Sequence, residues 1–62
     1  MIQVTRLNGT VFYLNAELIQ TVEGTPDTVI TLIDRSKFVV RENPDEVVRR
    51  CLEYRRSIQR SF

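Results

Sequence analysis

From Ile2 to Leu7 apolar and polar residues alternate, with Ile2 and Val4 on one face and Gln3 and Thr5 on the other. Period two over a short β-branched run predicts a half-buried strand. Asn8-Gly9 follows. This pair is the strongest short hairpin signal, and a type I′ turn is expected because such turns need positive φ at both central residues. Thr10 to Leu14 is the returning strand, apolar on both faces. One side is expected on the core and the other against a helix or a partner. Asn15 can cap a single turn, with Leu18 and Ile19 inward. The segment is too short for a stable helix, so a turn or 3₁₀ piece is expected.

Alternation resumes over Ile19 to Gly24, which reads as a third strand. Thr25-Pro26-Asp27-Thr28 is a turn: Pro26 presets φ for the first corner, and Asp27 can bond backbone two residues on. Thr28 to Ile33 and Lys37 to Arg41 are the next two strands. In the first, Ile30 and Leu32 share a face; in the second, Phe38 and Val40 do. Asp34-Arg35-Ser36 between them has no Gly, so a longer loop built on a type I turn is expected. The stretch from Pro26 to Arg41 is the central hairpin of the predicted sheet.

Asn43-Pro44-Asp45-Glu46 then punctuates a helix start. Asn43 is the N-cap, Pro44 at the first position lacks an amide that would be orphaned anyway, and Glu46 is placed to close a capping box. The helix should run to about Gln59 or the end of the chain. At ~100° per residue, Val47, Val48, Cys51, Leu52, Tyr54 and Ile58 share one side and are expected on the sheet. Arg49, Glu53, Arg56 and Arg60 form the opposite stripe, in which Arg49–Glu53 and Glu53–Arg56 can pair.

The pattern predicts an α+β fold: a small five-stranded antiparallel sheet, strongly curved or partly closed, with one C-terminal amphipathic helix packed on it. Residues 1–62 form a single domain, 1–42 the sheet portion and 43–62 the helix.

A chain of 62 residues buries only about 60% of the surface its unfolded form exposes. A core of this size rarely contributes more than about 3–5 kcal/mol net. Cys51 is the only cysteine and His is absent, so neither a disulfide nor a Cys/His zinc site can help. With exposed strand edges, a homo-oligomer is expected. The net charge of +1, from nine basic and eight acidic residues, is not the strongly basic footprint of a nucleic-acid binder. No apolar run reaches membrane-spanning length, no secretory pattern opens the chain, and a lone Cys fits a reducing cytosol.

Candidate chemistry is sparse. Five of the nine basic residues lie in the predicted helix, Arg49, Arg50, Arg55, Arg56 and Arg60, and all are Arg. A solvated, dipole-complementing face is the default reading. The sharper one is a docking surface for an acidic partner, since the guanidinium fork takes carboxylates bidentately. Arg55 falls inside the apolar arc, so it either snorkels past the sheet edge or pairs with a carboxylate across an oligomer interface. Cys51 reads as a small buried hydrophobe. With no His, no nucleophile–base pair can be assembled, so no enzyme is expected and no cofactor site is read. Phe12, Tyr13 and Phe38 read as core packing before base-stacking platforms.

Met1 to Gly9, Phe12 to Asn15, Leu18-Ile19, Thr25 to Leu32, Phe38 to Glu42 and Glu46 to Val48, in order and covering nearly the whole chain, resemble the small bacterial flagellar and swarming-motility family called FlbD or SwrD. Thr5-Arg-Leu-Asn-Gly9 and Thr25-Pro-Asp-Thr-Val-Ile-Thr-Leu32 are the most specific pieces. The chain departs from the family at Asp34-Arg35-Ser36, where a Gly-containing turn is common, and at Asn43-Pro44, where a small residue or Ser is common. The resemblance implies a non-enzymatic cytoplasmic accessory protein, peripheral to the flagellar base at the inner membrane. It implies support of motility and swarming through contacts with flagellar motor, stator or basal-body proteins. It carries over no catalytic or cofactor residue; its recurring Asn8, Gly9, Pro26 and Asp27, like the cap Asn43, are structural. The rival from another class is a small nucleic-acid-binding regulator using the Arg-rich helix.

Overall fold

A computed structural model describes residues 1–24 and 26–60, with backbone alone for 59 and 60. Its elements are β1 (Ile2–Thr5), β2 (Val11–Leu14), a 3₁₀ turn (Ala16–Leu18), β3 (Ile19–Gly24), β4 (Thr28–Leu32), β5 (Lys37–Val40) and α1 (Pro44–Arg60). The predicted strands and helix are all present, within a few residues of their expected ends. Their arrangement is not the expected one. The five strands form two separate antiparallel sheets, β1-β2 and β3-β4-β5, rather than one curved or partly closed sheet.

The physical reason lies at the outer edge of β1. A single bridge, Arg6 opposite Val40, and the Arg41 amide donating to the Thr5 carbonyl at 2.8 Å bring β5 alongside β1. The ladder stops there because side chains take the next backbone groups. The Thr5 amide donates to Glu42 Oε1 at 2.9 Å, and the Gln3 carbonyl accepts from Arg50 Nη1 at 2.6 Å. Beyond Glu42, Asn43 and Pro44 turn the chain into the helix, and proline has no amide to extend a ladder.

Inward alternation follows the predicted pattern in β1, β4 and β5, but in β3 a register shift between Ile19 and Thr21 breaks the expected alternation and makes Ile19 and Val22 the half-buried residues. Ile2, Val4, Leu14, Ala16, Ile30, Leu32, Val40 and Val47 form one buried cluster fed by both sheets and the helix. Thr28 is buried with them on the inner face of β4. Phe12 of the first sheet meets Phe38 of the second with ring centroids 5.5 Å apart. The Arg6 guanidinium lies 4.3 Å from the Phe12 centroid and 5.8 Å from that of Phe38. Tyr13 and Val11 instead face solvent from β2.

The two tight turns share one frame. Gly9 N donates to Arg6 O at 2.9 Å and Arg35 N to Leu32 O at 2.9 Å. In each, the residue before the positive-φ position accepts an amide two residues on: Asn8 Oδ1 from Thr10 and Asp34 Oδ1 from Ser36, both at 2.9 Å. Gly9 has φ 94° and Arg35 φ 74°, whereas Asn8 and Asp34 stay at negative φ. Each is therefore a type I turn closed by a left-handed residue, a three-residue loop with a bulge, not the type I′ turn expected at Asn8-Gly9. Arg41 fastens the first turn by donating from Nε and Nη2 to Leu7 O at 3.0 and 2.8 Å. Pro26 and Asp27 are exposed bends before β4, and the Thr25 part of that predicted turn lies outside the described residues. In the 3₁₀ turn, Asn15 Oδ1 accepts from the Glu17 amide as expected, but Ala16 is the buried residue and Leu18 is exposed.

Candidate functional site

The candidate surface is α1, and its placement begins at the cap. Asn43 Oδ1 accepts the Glu46 amide at 2.8 Å, as expected of an N-cap. The other half of the capping box is absent: the Glu46 carboxylate accepts from Arg49 and Arg50 instead. Two strands position the helix laterally. Pro44 sits against Gly24 at the end of β3, and Arg50 reaches the backbone of β1.

The buried arc is narrower than the apolar arc. Val47, Cys51 and Tyr54 pack on the core and Ile58 is half-buried. Val48 and Leu52, expected on the sheet, are 46% and 50% exposed. At ~100° per residue they lie about 100° and 140° around the axis from Val47, past the β3 side of the contact. Burial pushes the Cys51 thiol up, which keeps it a neutral packing group.

The five candidate arginines do not act as one patch. Arg50 is engaged within the fold, donating to the Gln3 carbonyl, to Glu42 Oε2 at 3.1 Å and to Glu46 Oε1 at 3.1 Å. Arg49 is exposed and held between Glu46 and Glu53, which raises its pKa further above the usual arginine range. Arg55 and Arg56 are exposed and make no ion pair among the described residues. The side chain of Arg60 lies outside the described residues.

Glu42 is a largely buried structural ion that the sequence does not announce. Its side chain is 10% exposed. Burial pushes its carboxyl up, but hydrogen bonds from the Thr5 amide and hydroxyl and the Arg50 charge outweigh that and hold it below the usual value. Thr5 and Glu42 are 37 residues apart, so no local motif links them. A groove of about 510 Å³ runs between β1 and α1, lined by Ile2, Gln3, Arg50, Glu53, Tyr54 and Ser57. Among the described residues no three His, Cys, Asp or Glu side chains are placed to hold a metal ion.

A family model described as flagellar and swarming motility proteins matches residues 1–59. The chain belongs to the FlbD family. The match takes in both turns, the Glu42–Arg50 junction and all of α1 except Arg60. Neither curated proteins nor solved structures return a match. A flagellar or swarming-motility role follows from the family. Among the described residues no helix is long and apolar enough to cross a membrane.

Proposed function

We propose that this FlbD-family chain is a non-enzymatic accessory protein that supports motility by binding flagellar motor, stator or basal-body proteins from the cytoplasmic side. The observation that carries the reading is the family match over residues 1–59. The surface supports it: α1 presents Arg55 and Arg56 free of ion pairs among the described residues, and β2 presents Val11 and Tyr13 outward on a strand paired only with β1. Arginine and tyrosine are residue types enriched at protein-binding surfaces, and each of these two surfaces offers one of them exposed.

Crosslinking and pull-down of the tagged protein from motile cells tests the reading. Recovery of stator or basal-body proteins is the expected result. Their absence, or RNA or DNA binding that falls steeply with salt, overturns it. Charge reversal at Arg56 and Arg60 is expected to shrink the swimming halo at unchanged protein level and melting temperature. Normal swimming would assign those arginines to solvation.

A further inference from the structure

We propose that α1 pairs antiparallel with α1 of a second copy of this chain, through the stripe Asp45, Val48, Leu52 and Arg55. The stripe has spacings of three, four and three residues, the repeat that presents one continuous seam to a facing helix. At ~100° per residue it occupies an arc about 80° to 160° from Val47, clear of the core-facing side. Both apolar members are about half exposed, at 46% for Val48 and 50% for Leu52. Both charged members are exposed and make no ion pair among the described residues.

The stripe is complementary to itself in one orientation. About a two-fold axis beside residue 50, antiparallel helices bring position 48 opposite 52 and position 45 opposite 55. Each Val48 then meets Leu52 of the second copy, and each Asp45 meets Arg55 of the second copy. The match holds because Asp45 precedes Val48 by the same three residues by which Arg55 follows Leu52. A two-fold interface places the same patch on both copies and forms every pair twice. A parallel pair would set Asp45 on Asp45 and Arg55 on Arg55. An unrelated partner need not carry acid and base in this order, whereas a second copy does. Arg55 thereby gains a role that its own fold does not supply. The helices would cross near +20°. One helix face is smaller than the ~800 Å² per partner of a standard interface, so the dimer is weak and concentration-dependent. The pairing occupies Arg55 and leaves Arg56, which lies outside the stripe, to the proposed motility surface.

Analytical ultracentrifugation of the full chain from about 10 to 500 µM tests it, with melting curves as the folding control. Wild type is expected to pass from monomer to dimer across that range. D45R alone and R55D alone are each expected to weaken the dimer about tenfold or more, by setting like charges together. An equimolar mixture of the two variants restores it, because every reversed charge then faces its opposite. L52E, which leaves the helix cap untouched, is expected to be monomeric. A wild type monomeric at 500 µM, single reversals that dimerise like wild type, or a mixture that stays monomeric overturns the proposal.

Discussion

Gly9 and Arg35 occupy the same position of the same turn, one with the residue the backbone prefers and one without it. A left-handed conformation costs a residue bearing a Cβ about 1–2 kcal/mol. Glycine avoids that cost but loses about 0.5–1 kcal/mol of chain entropy. Arg35→Gly should therefore stabilise the protein by about 0.5–1 kcal/mol, a rise in melting temperature of roughly 2–8 °C for a domain this small. Gly9→Ala should lower it, since its Cβ would meet only the Arg41 guanidinium at 3.8 Å and the loss is backbone strain alone. Differential scanning calorimetry of the two variants checks both signs. The Asn8-Gly9 signal was legible as a hairpin, but its type was not. The dipeptide fits either turn, and the registers of the flanking strands decide.

At the scale of elements, the seat of α1 depends on an absence. A Cβ built on Gly24 would stand 2.2 Å from Pro44 Cγ. That ring is part of the backbone at the start of the helix and cannot rotate away. Gly24→Ala should force β3 and α1 apart and cost on the order of 1–3 kcal/mol, as overpacking does. Denaturant unfolding measures it, and a change below a few tenths of a kcal/mol would show that the two elements slide freely. The glycine reads in the sequence only as a strand end, because Pro44 is 20 positions away. Helical periodicity correctly marked Val47, Cys51 and Tyr54 as inward. It overcounted with Val48 and Leu52, because the width of the seat is set by the strands on either side and not by the helix.

Across the whole molecule, Glu42 and Arg50 join the first sheet, the turn into the helix and the helix itself. Glu42 has a folded pKa below its ordinary 4.5. Its contribution to stability is therefore full above that value and is lost as pH falls through the lower, folded value. Stability measured from pH 7 downward should drop in that acid range. Glu42→Gln should cost about 1–3 kcal/mol at pH 7 and should flatten the acid decline. An unchanged slope would place the acid sensitivity elsewhere. Element type and order, the helix cap, the inward faces of β1, β4 and β5 and the family resemblance all followed from the sequence alone. They rest on contacts within a few residues, where period, turn chemistry and capping act directly. Contacts distant in sequence set the division of five strands into two sheets, the place of Arg50 within the fold and of Arg55 outside it, and which apolar helix residues stay uncovered. Those outcomes depend on which distant backbone groups are already satisfied: Thr5 by Glu42 and Gln3 by Arg50, at separations of 37 and 47 residues that local pattern does not encode.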